Sequence, residues 1–383
     1  MITAKDIRAK TEELRETYTT FLIKAVEAES PSHDKARVDR CAALFIEEAN
    51  RFGWRVETEH MPNSGDPVCI TMNEDAPGQP IALSGHIDTV HPVGLFGSPA
   101  VRIENGILYG PGVCDCKGGV VAALYAMAVL DALGWHERPV KLLLQTDEEV
   151  GSALSELATV NFLCEKSKEC AAFFNLESYV AGTAVLLRKG IERFVLDVFG
   201  KSAHASRKWC GASAICEAAH KIIRIEEMND RDGITCSCGI VSGGTAANTV
   251  PDTCKIVIDM RFSDDTQRKT GEEMLGAITE TCTVAGTHAT LTTTSRRIAM
   301  EPSEKNTALL DKINGIYKAN GLPSLAVRKS PGGSDAAYIT AYGTPCVDNL
   351  GIEGGCIHSP EEFARLDALP EAALRLVFPI LFM

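Results

Sequence analysis

Residues 81–88 read IALSGHID and residues 140–149 read VKLLLQTDEE. Each is a short apolar run, the length of one buried strand, that ends on histidine or carboxylate side chains. The same construction recurs at 171–177, AAFFNLE, and at 346–350, CVDNL, which leads into GIEGGCIHSPEE and His358. Helix-length segments separate the runs: 117–133, apolar nearly all round and closed by Gly134, and 152–166. Strands alternating with crossover helices predict an α/β fold, a mostly parallel sheet covered by helices. Functional side chains of such sheets gather at the carboxyl ends of the strands. His86, Asp115, Glu149 and Glu177 follow one another at steps of roughly thirty residues, about one β-α-β unit, so each step returns the chain to the same sheet edge.

Further along, the texture changes. Segments 191–199, 234–242, 253–262 and 288–295 alternate with a period of two, and helix-like stretches at 212–228 and 266–283 separate them. The order strand, helix, strand, strand, helix, strand predicts a ferredoxin-like α+β domain inserted into the first. The expected division is residues 1–187 with 298–383 as a discontinuous main domain, and 188–297 as the insertion.

Composition narrows the function. The chain has 383 residues, 51 acidic against 38 basic, and a formal charge of −13. That balance argues against a nucleic-acid partner, whose phosphates are bound mainly by Lys and Arg. The amino-terminal MITAKDIRAKTEELRETY lacks the apolar core of a secretory signal. The apolar stretch 120–130 is too short to span a bilayer and reads as a buried helix, so no membrane partner is expected. Fourteen cysteines without a C-x-x-C pair read as reduced thiols of a cytoplasmic protein.

Taken singly, the polar strand ends are ambiguous. His86 with Asp88 two residues on suits a metal ligand oriented by a carboxylate, but equally a structural histidine. Asp115, in the Gly-rich YGPGVCDCKGG, could bridge two cations or cap the helix that follows. Cys114 and Cys116 flank it and read as packing. Asp147, Glu148 and Glu149 repel one another unless something positive is near, or else form a solvated loop. Together, two histidines and three carboxylates at one sheet edge suit a dinuclear zinc centre. No G-x-S-x-G elbow, H-E-x-x-H helix, P-loop or complete G-x-G-x-x-G offers a rival chemistry.

The ordered set GHIDTV, GPGVCDCKGG, DEEVGS, NLES, GKSAHAS, SGGTAANTVPD, GGSDA and IHSPEE resembles the dinuclear zinc exopeptidases and deacylases. That family includes glutamate carboxypeptidase, acetylornithine deacetylase, succinyl-diaminopimelate desuccinylase, aminoacylase and peptidase T. The resemblance runs over nearly the whole chain and is closest to the glutamate carboxypeptidase branch. It implies two zinc ions, with cobalt or manganese as substitutes: His86 and Glu177 on one, Glu149 and His358 on the other, Asp115 bridging both. Asp88 would orient His86, a cis peptide would follow Asp115, and Glu148 would be the general base. The inserted domain becomes a lid and dimerisation domain, and His204, from the lid of a homodimer partner, would meet the oxyanion. Arg261, Asn248 and the backbone at Gly332, Gly333 and Ser334 would bind the carboxylate of a small peptide or N-acyl amino acid. The expected reaction is release of a carboxyl-terminal amino acid; the alternatives are an N-acyl-amino-acid deacylase or a catalytically silent binding protein on the same fold. Relatives with Asp in place of Glu177 tend to be aminopeptidases or tripeptidases.

Overall fold

The computed structural model describes residues 2–383 and divides the chain into two compact units. The first comprises the chain up to Leu186, Pro302–Lys329 and Ser334–Met383; the second comprises Leu187–Glu301 and Ser330–Gly333.

The first unit is built on a six-stranded sheet in the order Arg55–Thr58, Val68–Met72, Val140–Gln145, Ile81–His86, Ala172–Asn175, Cys346–Val347. The last four strands run parallel, and the first two close one side as antiparallel neighbours. The parallel strands are buried almost throughout, which is why they read as unbroken apolar runs. The edge strand Arg55–Thr58 is half exposed and four residues long, too short and too polar to announce itself in the sequence.

The helix Gly118–Ala132 lies at the centre of the main core, with every residue from Gly118 to Leu130 buried. It packs between the amino-terminal helix Ala4–Glu27 and the carboxyl-terminal helix Ala368–Phe382, and Tyr125 stacks on Tyr18 with ring centroids 4.7 Å apart. The segment Val113–Ala132 is apolar and long enough to cross a membrane by composition, but its apolar window is wholly inside the protein. Enclosure on all sides explains the missing polar face.

The expected helix at 152–166 begins instead at Ala158. The cause is Asp147, whose buried carboxylate accepts the Ser155 amide at 3.0 Å and the Thr159 hydroxyl at 2.5 Å. Residues 152–157 wrap round it as turns, with Ser152, Glu156 and Leu157 at positive φ.

The second unit carries a four-stranded antiparallel sheet in the order Thr235–Gly243, Thr253–Phe262, Gly190–Phe199, His288–Arg297. Helices Ala214–Glu226 and Asp265–Glu280 cover it, and Phe194, Leu196, Ile256, Ile258, Met260 and Leu275 fill the core between. This is the ferredoxin-like order anticipated from the alternation of strands and helices. Buried Lys221 donates to the Ile278 and Thr281 carbonyls at 2.7 and 2.8 Å and so closes the carboxyl end of the second helix. All fourteen cysteines are free thiols.

Gly119 positions the sheet edge in the first unit. A Cβ there would lie 2.2 Å from the Leu176 carbonyl oxygen, so only glycine lets the central helix approach the backbone next to Glu177. Gly119→Ala should therefore lower stability by about 1–3 kcal/mol in urea unfolding. An unchanged midpoint would show that the helix start yields without cost.

Candidate metal centre

Each parallel strand delivers a side chain to one edge. His86 ends its strand, Glu148 and Glu149 sit in the 3-10 turn Glu148–Val150 just beyond Gln145, and Glu177 lies two residues beyond Asn175. His358 stands on the loop that follows Cys346–Val347, and Asp115 on the Val113–Lys117 turn at the head of the buried helix.

The five expected ligands converge. Asp115 presents its two oxygens to two different imidazoles: Oδ1 lies 3.2 Å from His86 Nε2, and Oδ2 lies 3.2 Å from His358 Nε2. Glu149 Oε2 is 3.1 Å from His358 Nε2, and Glu177 Oε1 is 3.9 Å from His86 Nε2. The carboxylate of Glu148 falls in the same cluster, where one ligand atom each from His86, Glu148 and Glu177 lie within 4.8 Å of one another. Two donors each about 2.1 Å from one ion at a tetrahedral angle stand about 3.4 Å apart. The observed separations match that spacing on both sides of Asp115, so the residues fit a pair of divalent cations. The Asp115–Cys116 peptide is cis, as the resemblance implies.

Burial opposes ionisation of Asp115, but hydrogen bonds from His358 and His86 override it and hold the carboxyl well below the usual range. The same contacts, from Asp115 and then Glu149, raise His358 to about 10. Burial lifts Glu149 to about 7 despite its bond to His358. Burial also pushes the Cys116 thiol up to about 12, and its Sγ is engaged with the His86 backbone, 3.0 Å from the amide and 3.4 Å from the carbonyl.

Asp88 is fully buried and does more than orient an imidazole. His86 Nδ1 meets its backbone carbonyl at 3.0 Å and its Oδ1 at 3.6 Å. Its carboxylate also accepts the backbone N–H groups of Glu148 and Glu149, at 3.1 and 3.2 Å, and the Ser32 hydroxyl at 2.7 Å. One residue thus holds the histidine through its backbone carbonyl and the turn that carries two carboxylates through its side chain. Ser32 and a second buried carboxylate, Glu362, escaped the sequence reading; Glu362 accepts the Asp115 amide at 3.0 Å. The only sequence signal for Glu362 is its place in the SPEE segment after His358.

A protein-family model described as peptidase family M20/M25/M40 matches residues 82–377. The chain belongs to that family.

As an M20 family chain it is a hydrolase of a metal-dependent family. Carboxypeptidase G2 of Pseudomonas sp. is 26% identical over 312 residues, covering 79% of this chain and 74% of that protein. Acetylornithine deacetylase of Myxococcus xanthus is 30% identical over 195 residues, 47% of this chain and 49% of that one. Among solved structures, a tripeptidase of Staphylococcus aureus superposes with a TM-score of 0.80 at 22% identity, covering 96% of this chain and 97% of that one. An M20 family metallo-carboxypeptidase of Sulfolobus solfataricus superposes at 0.72 and 17% identity, with 95% and 99% covered. These superpositions establish the α/β fold.

The remaining site candidates of this M20 family hydrolase lie mostly in the second unit. His204 pairs in register with Thr249, next to Asn248, and its Nδ1 meets the Ser206 hydroxyl at 2.8 Å. Both His204 and Asn248 are exposed. Arg261 is engaged by Asp259, with Nε 2.5 Å from Oδ1 and Nη2 3.3 Å from Oδ2, and donates from Nη1 to the Pro331 carbonyl at 3.2 Å. The Gly332 and Gly333 carbonyls accept from Arg188 at 3.3 and 3.0 Å. Ser334 belongs to the first unit, where it is buried, its hydroxyl donates to Asp348 at 3.0 Å and its carbonyl accepts the Ala337 amide at 3.2 Å.

With His358 raised to about 10, the metal-free protein holds a proton on a ligand at neutral pH. Cation uptake at pH 7 should therefore release protons, and affinity should rise as pH climbs toward 10, where the imidazole loses its proton unaided. Zinc titration of the metal-free protein in weak buffer, followed by a pH indicator, measures this; uptake without proton release would contradict it.

Proposed function

We propose that this M20 family hydrolase is a dinuclear zinc carboxypeptidase that cleaves the terminal amide bond of a small peptide or N-acyl amino acid with a free carboxylate. The observation that carries the reading is Asp115 held between His86 and His358, one oxygen to each, with Glu148 beside the pair. In this reading His86 and Glu177 hold one zinc, His358 and Glu149 the other, and Asp115 both; cobalt or manganese would serve as substitutes. Bound there, the cations supply Lewis-acid polarisation of an amide carbonyl and lower the pKa of a water toward neutrality.

The side chains do the rest. Glu148 takes the proton from the attacking water and delivers it to the departing amine nitrogen. Asp88 keeps the His86 ring and the Glu148–Glu149 turn fixed, so the base does not have to be ordered during the reaction. His204, with Nδ1 occupied by Ser206, offers Nε2 to the developing oxyanion. Arg261, Asn248 and the Gly332, Gly333 and Ser334 backbone take the substrate carboxylate, for which a planar guanidinium is suited.

Support for a carboxypeptidase comes from the long match to carboxypeptidase G2 and from Glu in place of Asp at position 177. The shorter acetylornithine deacetylase match, at the higher identity of 30%, keeps an N-acyl-amino-acid deacylase as the second reading. We place His204 in the site of a second copy of the chain, in a homodimer joined through the second unit. Supporting this, the outer edge strand Thr235–Gly243 exposes Ile240 and Val241, and the neighbouring helix Ala214–Glu226 exposes Ile215 and Ile223. A cytoplasmic setting accords with fourteen free thiols.

Glu148→Ala should reduce kcat by about 10²–10⁴-fold while metal uptake survives; unchanged turnover would reject the base. Chelation should abolish hydrolysis, and zinc, cobalt or manganese should restore it. A panel of acyl-glutamates, dipeptides and N-acetyl amino acids then separates the two readings by kcat/KM. Ile223→Asp combined with Ile240→Asp should yield monomers in sedimentation velocity and lose turnover, and mixing His204→Ala with Glu148→Ala, which both keep the interface, should restore part of the turnover each lacks. Full activity in a monomer would remove His204 from the partner's site.

A further inference from the structure

Among the fully buried carboxylates near the sheet edge that the proposed mechanism does not use, Glu362 has an unusual set of donors. Glu362 Oε1 accepts the backbone N–H groups of Cys114 and Asp115, at 2.9 and 3.0 Å. Its Oε2 accepts the Gly112 N–H at 3.2 Å and lies 2.8 Å from His91 Nε2. Gly112 has a φ of 72°, and a Cβ there would lie 2.6 Å from Thr89 Cγ2, so the turn presenting these amides is closely packed against Thr89. Amides of one turn converging on an anion make a nest, and here the anion is the protein's own side chain.

The position of Glu362 in the chain gives this cradle its meaning. It lies four residues after His358, and its carboxylate grips the backbone of the residue that His358 must share a cation with. Otherwise the His358 segment is the tip of a hairpin, closed at its base by Gly354–Gly355 paired with Phe363–Arg365. The ring is half exposed, Cys356 and His358 have φ of 54° and 59°, and the turn is closed by local bonds from Ser359 to the Cys356 carbonyl and from Glu362 to the Ser359 carbonyl. The His86 half needs no such tether. His86 ends a paired central strand, its ring is set by Asp88, and its amide is 3.0 Å from Cys116 Sγ.

We propose that Glu362 is a positioning residue that sets the cation affinity of the His358–Glu149 half of the centre, leaving the His86–Glu177 half to its own scaffold. The inference rests on the dinuclear reading above. Removing the carboxylate frees three amides of the bridging turn and leaves the Gly110 N–H to Glu362 carbonyl bond and the pairing of Phe363–Arg365 with Ile107–Tyr109 as the ties to the His358 loop, so Asp115 Oδ2 and His358 Nε2 lose the side-chain link that fixes their separation. His91 assists by donating to the same oxygen.

The test is calorimetric titration of the metal-free, full-length protein with zinc, comparing wild type, Glu362→Ala, Glu362→Gln and His91→Gln. His358→Ala and Glu177→Ala identify which binding step belongs to which half. Wild type should take up two ions. Glu362→Ala should weaken the His358-linked step by about 10–100-fold and leave the other within about twofold, with Glu362→Gln intermediate. His91→Gln, which keeps the carboxylate and carries the test if Glu362→Ala does not fold, should weaken the same step by a smaller factor. Two ions bound with both steps unchanged, or both weakened equally, would overturn the role of Glu362 and leave the dinuclear reading standing. One ion in the wild type would overturn both.

Discussion

Four carboxylates, Asp115, Glu148, Glu149 and Glu177, are packed with little solvent round two imidazoles, and the rest of the first unit is arranged to make that tolerable. Like charges at such separations in a poorly solvated place cannot all ionise without positive charge among them. The two imidazoles hold Asp115 low, and Asp115 and Glu149 in turn hold His358 high. Divalent cations, as proposed, would answer the same need with more charge in less space. The sheet, the enclosed helix and the glycines at its head bring the carboxylates together; the buried partners Asp88 and Glu362 keep them from moving apart.

The geometry divides this work between two kinds of support. On the His86 side the ligand grows from the middle of a parallel sheet, where hydrogen-bonded strands on both flanks fix its backbone. On the His358 side the candidate ligand stands on a surface loop, with Glu362 proposed as its side-chain anchor. Under the dinuclear proposal an ion on the first side would be framed by rigid elements, and one on the second would couple to whatever disturbs the loop.

Much of this was legible in the sequence, and for a physical reason. Parallel strands buried on both faces leave continuous apolar runs, and ligands at their carboxyl ends recur at the length of the repeating unit, so 81–86, 140–145 and 172–175 were visible with their ligands attached. The antiparallel pair 55–58 and 68–72 was not, because the outer strand is short and half wet. The helix after Asp147 was read six residues too early, since periodicity cannot show that a buried carboxylate has recruited Ser155 and Thr159 and bent the chain about itself. Ser32 and Glu362 were invisible for a related reason: their partners lie 56 and 247 residues away, and single polar side chains carry no pattern.

The engagement of Arg261 by Asp259 has a consequence of its own. Asp259 on the same strand already satisfies that guanidinium, so under the carboxylate-binding role proposed for Arg261 an arriving carboxylate would trade places with a resident one. Recognition of this kind would be an exchange reaction. It would penalise weak anions and neutral amides, which cannot repay the displaced aspartate.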